Sequence, residues 1–117
     1  MTLNEIKDII QAELLTSIPD SEMHFDRVSS TDLMSDVLAF SQTETLLITG
    51  LVDRSVIRTA QIASVKAIIF VRGKRPTMEI IAIAEEKKIP LLGTNLFMFD
   101  TCGKLYEKGL RNSPDAK

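Results

Sequence analysis

The sequence holds one cysteine, one histidine and no tryptophan. A lone Cys102 forms no internal disulfide, which fits a reducing cytoplasm, and on a helix it reads as a small buried hydrophobe. His24 and Cys102 have no partners at ligand spacing, so no zinc site is expected. Aromatics make up 5% of the chain, which is thin ground for stacking nucleic-acid bases, and there is no sustained basic face, so nucleic acid is not an expected partner. No apolar run reaches membrane-spanning length, and the N-terminus lacks the basic-then-apolar pattern of a secretory signal. A cytoplasmic chain with no membrane partner follows as the expectation. The phosphate-loop pattern GxxxxGK followed by Ser or Thr is missing: Gly103-Lys104 precedes Leu105, and Met98 stands where the first glycine belongs. No GxGxxG follows a strand and no GxSxG elbow is present, so neither a catalytic residue nor a cofactor is expected.

What is present centres on Thr45–Arg75. Leu46–Ile48 runs into Thr49-Gly50, and Ala67–Val71 runs into Arg72-Gly73. Neither run alternates, so both read as strands buried on two faces. Val56, Ile57, Ala60 and Ala63 between them mark one helical stripe, and Asp53 suits its N-cap. Strand, helix and strand at this length form a right-handed crossover with parallel strands. Both glycine loops then lie at the carboxyl edge of the sheet, where open α/β folds bind ligands.

Around this unit, Leu3, Ile6, Ile9, Ile10 and Leu14 predict an N-terminal helix, with Thr2 and Glu5 as a capping box. Met23–Val28 predicts an edge strand carrying an exposed His24. Ser30 or Thr31 opens a helix with Leu33, Met34, Val37 and Leu38 on one stripe. Pro76 suits the first position of the next helix. There Met78, Ile80, Ile81, Ile83 and Ala84 cover more than one stripe, so this helix is either sunk in its own core or touches another chain. Ile89–Gly93 is a further strand, and Thr94 or Asn95 caps a last helix running to about Gly109. The fold class expected is a three-layer α/β/α sandwich with a mostly parallel sheet of about four strands. Residues 1–110 make one domain, and 111–117 a flexible tail.

Charge is divided along the chain. Residues 1–53 carry ten acids and two bases, residues 54–117 twelve bases and six acids, and no acid falls between Arg54 and Arg75. This suggests an anion site, one face pairing with an oppositely charged face, or a solvated surface whose two signs partly cancel in the fold. The candidate ligand-binding residues sit in three loops: Thr49, Gly50, Asp53, Arg54 and Ser55; Arg72, Gly73 and Arg75; Thr94 and Asn95. Glycines admit close backbone approach, helix N-termini favour anions, and arginines fork onto carboxylate or phosphate. An anionic small molecule or nucleotide is the ligand class, and a protein partner is the alternative.

At these residues the chain resembles the DRTGG domain family, through ITGLVDRSVIRTA and then VKAIIFVRGKRPTMEIIAIAEEKKIPLLGTN. Asp53-Arg54 match the family's Asp-Arg, with Ser55 in place of Thr. Gly73 matches the second glycine of its pair, and Arg72 stands in place of the first. The resemblance covers roughly residues 1–110. It implies a module similar to the N-terminal domain of HPr kinase/phosphorylase, found as an accessory domain in phosphotransacetylases and in pyrophosphatases with CBS domains, often near a dimer interface. Stand-alone copies are encoded beside iron-only hydrogenase and serine-kinase genes. The resemblance thus implies a non-catalytic regulatory or ligand-binding homodimer. The alternatives are a small phosphotransferase or hydrolase using Asp53 and Arg54, or a structural subunit of a hydrogenase or serine-kinase system. With its phosphate loop missing, kinase activity does not carry over.

Overall fold

A computed structural model describes residues 1–17, 23–40 and 44–112. In chain order the elements are α1 (Leu3–Ile9), β1 (Glu13–Leu14), β2 (Val28–Ser30), α2 (Met34–Phe40), β3 (Leu46–Thr49), α3 (Arg54–Ile62), β4 (Ala67–Phe70), α4 (Met78–Glu86), β5 (Leu91–Gly93) and α5 (Met98–Glu107). The strands form one sheet in the order β1-β5-β4-β3-β2. All neighbours are parallel except β1, which runs antiparallel to β5 with Glu13 opposite Gly93.

Both faces of the sheet are covered, which is why β3 and β4 carry unbroken apolar runs. One core joins Leu3, Ile6 and Ile10 around α1 and Leu105 of α5 to Leu46, Ile48 and Ile69. The opposite core joins Val37 of α2, Val56 and Ala60 of α3, and Ile80 and Ala84 of α4 to Leu47, Ile68 and Phe70. Successive strand residues therefore serve opposite layers, giving the expected α/β/α sandwich.

Several boundaries differ from the sequence reading. The sheet has five strands. Met23–Val28 is not a strand: it makes two isolated bridges, His24 to Thr2 and Arg27 to Arg111, and the edge strand beside β3 is Val28–Ser30. Leu14 is not on the α1 stripe. Gln11 takes a left-handed φ of 53°, which ends that helix and sends Leu14 into β1. On α2 only Val37 is buried, and Leu33 and Leu38 lie exposed. Pro76 is not the first helical residue, because Thr77 is the N-cap, with its hydroxyl accepting from Ile80 N–H. Neither Thr94 nor Asn95 caps α5; Phe97 holds that position without a side-chain bond. Helix α4 buries Ile80 and Ala84, half-buries Ile81 and Ile83, and leaves Met78 exposed. Of the segment 111–117, Arg111 and Asn112 bond to Val28 through Val28 N–H to Arg111 O and Asn112 Nδ2 to Val28 O; residues 113–117 lie outside the described residues.

The α1 capping box is reciprocal: Thr2 N–H donates to Glu5 Oε1 and Glu5 N–H to Thr2 Oγ1. The Thr2 backbone bond, helped by the Thr2 hydroxyl, holds the Glu5 carboxyl below the ordinary glutamate range. A depressed folded-state value stabilises the fold above the free-glutamate range, and this contribution is lost as pH falls through the lowered value. A carboxyl-carbon NMR titration of Glu5 should therefore give a midpoint below that of free glutamate. Thr2→Ala should move the midpoint back up. In the middle of α5, Gly103 has no atom within 4 Å of where a Cβ would stand. A mid-helix glycine costs about 1 kcal/mol relative to alanine, and nothing within the chain asks for it.

Candidate functional site: the carboxyl rim of the sheet

Because β2 to β5 are parallel, their carboxyl ends share one edge, and four loops leave from it. The loops are tied together by backbone bonds: Val71 N–H to Thr49 O, Thr94 N–H to Phe70 O, Arg72 N–H to Leu96 O and Gly73 N–H to Thr94 O.

The β4–α4 loop turns tightly at Arg72-Gly73. Both residues have positive φ, 59° and 70°, and Lys74 N–H closes the turn on Val71 O. Left-handed φ is comfortable for glycine and costs about 1–2 kcal/mol for a residue with a Cβ. Gln11, Ser64 and Lys88 also have positive φ, each following a helix end, where that conformation is the usual cap, and so does Glu44, at 60° on the approach to β3. Arg72 does not follow a helix. Its guanidinium lies over Gly50, where an added Cβ would stand 3.0 Å from Nη2. A methyl at Gly50 would make the flexible end of this arginine give by a few tenths of an ångström. Among the described residues Arg72 has no ion pair.

Arg75 lies in the same way over Gly93, where a Cβ would meet Cζ at 2.6 Å. Its Nε donates to Glu13 Oε1 at 2.8 Å, Nη1 to Lys74 O at 2.9 Å, and Nη2 to Asn95 Oδ1 at 3.4 Å. Glu13 is 62% exposed, so the ion pair is weak and exchangeable. Two guanidinium groups thereby approach Gly50 and Gly93 closely.

The other predicted residues have different roles. Thr49 is buried; its hydroxyl donates to Asp32 Oδ1 and accepts from Leu51 N–H. Thr94 is buried as well, donating to Ile10 O and accepting from Leu96 N–H. Asp53 caps α3, accepting from the N–H and hydroxyl of Ser55. Arg54 turns to Glu79 on α4 and forms an ion pair there. Gly50, Arg72, Gly73, Arg75 and Asn95 therefore come together, Thr49 and Thr94 brace them, and the Asp53–Ser55 group is engaged within its own helix start.

Two rim residues were missed. Asp32 follows β2 and accepts from Gly50 N–H at 2.7 Å, so it braces the first loop. Its signal was Thr31-Asp32 ending a fourth parallel strand, and the misplaced strand hid it. Glu13 reaches Arg75 from β1, a strand too short to announce itself in the sequence. Among the described residues no three His, Cys, Asp or Glu side chains gather in a group that could hold a metal ion, and no helix is long and apolar enough to cross a membrane.

A family model, described as the DRTGG domain, matches residues 5–107. Among solved structures, the chain is similar to the CBS and DRTGG domains of the regulatory region of Clostridium perfringens pyrophosphatase, complexed with its activator diadenosine tetraphosphate. The TM-score is 0.78 at 18% sequence identity, with 95% of this chain and 48% of that chain covered. The chain therefore spans about half the length of that structure. No match was found among curated proteins.

Proposed function

The chain belongs to the DRTGG domain family, and on that premise we propose that it is a non-catalytic regulatory module that binds an anionic small molecule at its carboxyl rim and works as a homodimer. The observation that carries the reading is Arg72. It holds a left-handed φ in a loop where glycine would be relaxed, and among the described residues its guanidinium has no ion pair. Strain kept at one residue points to a use for its side chain. Arg72 and Arg75 offer forked donors that suit a phosphate or carboxylate.

The residues that would serve an enzyme are engaged elsewhere. Asp53 bonds Ser55, and Arg54 bonds Glu79, which favours binding over the phosphotransferase alternative. The solved pyrophosphatase region binds a nucleotide activator, so nucleotides head the ligand panel. Apolar side chains left exposed on α4 and α5 support the homodimer. The test is a thermal-shift panel of AMP, ATP, diadenosine tetraphosphate and inorganic pyrophosphate. At least one should raise the melting temperature, with the rise shrinking as ionic strength increases. A flat panel would overturn the anion site.

A further inference from the structure

Helix α5 carries an exposed apolar surface, where Arg111 stacks on the Tyr106 ring. Phe99, Gly103 and Tyr106 stand at i, i+4 and i+7, so they share one face. Phe99 is 86% exposed and Tyr106 55% exposed, with Phe97 just before them at 63%. Beside this face runs a groove of about 680 Å³ between α5 and the β2 edge, floored by Val28 and Ile48 and walled by Met98 and Leu105. A protruding aromatic, a glycine notch and an apolar groove thus lie side by side on one chain.

We infer that a second copy of this chain docks here, α5 against α5 and antiparallel, with Phe99 of each copy seated at the other's Gly103 and groove. Two observations select a second copy over any other occupant. Knob and notch occur on the same patch, which is what a twofold interface requires. Area fits too. Aromatic side chains bury roughly 150–250 Å² each. The exposed parts of Phe97, Phe99 and Tyr106 therefore supply on the order of 400 Å², about half of the ~800 Å² per partner in a standard interface. Gly103, which the chain itself does not need, is explained by the close approach of a partner helix.

The inference rests on the homodimer part of the proposed function and assigns its face to α5 instead of α4. Size-exclusion chromatography with light scattering, run over a dilution series of the full chain, tests it. The wild type should weigh twice 13.0 kDa. Phe99→Glu, at an exposed position, should keep the circular-dichroism spectrum and associate at least tenfold more weakly. Gly103→Ala should raise the melting temperature of dilute protein yet weaken association, a pairing that a merely structural glycine would not give. Met78→Glu on α4 should remain dimeric. If Phe99→Glu keeps the doubled mass, the α5 face is refuted while the homodimer stands. If the wild type stays at 13.0 kDa throughout, both fail. The thermal-shift panel reads the rim independently of either outcome.

Discussion

Phe70→Ala should lower the unfolding free energy by about 3–5 kcal/mol, the range for removing a buried aromatic. Phe70 ends β4, the middle strand of the five, and is fully buried. Its side chain packs in the core shared with α3 and α4, two helices that approach the sheet from one side, so the layers cannot collapse to fill the space without moving together. Domains of this size are stable by only about 5–15 kcal/mol, so the loss is a large share of the total. Urea unfolding should show a lower midpoint with an unchanged slope. The damage should reach the rim as well, because Phe70 O accepts from Thr94 N–H and Arg72 lies two residues on. A loss below about 1.5 kcal/mol would mean that this face of the sheet is loosely packed.

Arg72→Gly should separate binding from stability. Glycine accepts the φ of 59° without strain, so the variant should gain about 0.5–1 kcal/mol after its greater unfolded-state entropy is counted. The same change removes the guanidinium. A charged hydrogen bond is worth about 1.5–3 kcal/mol, so affinity for the anion should fall about ten- to a hundredfold. A variant that melts higher and binds less is the signature of strain kept for use. Gly93→Ala gives an independent check on Arg75. The new methyl would sit on Cζ at 2.6 Å, and the flexible side chain would yield before the strand does. The guanidinium would swing away from Glu13 and Asn95, so ligand binding should weaken with the charge still present. Unchanged affinity in both variants would place the ligand elsewhere.

The central crossover was legible because its signals agree. Leu46–Ile48 and Ala67–Phe70 are fully buried, and two-sided burial writes itself as an unbroken apolar run. The caps at Thr2 and Asp53 were legible because capping depends on residue type at fixed spacing. The edges were not. Val28-Ser29-Ser30 is two-thirds polar, and its pairing with β3 is a tertiary event that no local pattern records. The α2 stripe looked complete, yet on α2 only Val37 is fully buried, with Met34 packing partly against the same core. At the rim, Arg72, Arg75 and Asn95 could be placed from loop position alone. Asp32 and Glu13 could not, since each arrives on an edge strand whose position depends on the rest of the sheet. Thr49 and Thr94 show a further limit: a threonine at a strand end looks the same in sequence whether its hydroxyl faces a ligand or a carbonyl.

The placement of β1 sets an order of assembly. Leu91 N–H bonds Thr16 Oγ1 across 75 residues, and Thr94 Oγ1 bonds Ile10 O across 84. During synthesis β1 thus precedes its partner and has no strand to pair with until β5 has left the ribosome. Its pairing is then among the last to form, as contacts between distant parts of a chain generally are. Once in place β1 closes the open side of β5, which would otherwise offer its backbone to a strand from another molecule. Strand β1 works as a latch that shuts only on a finished sheet.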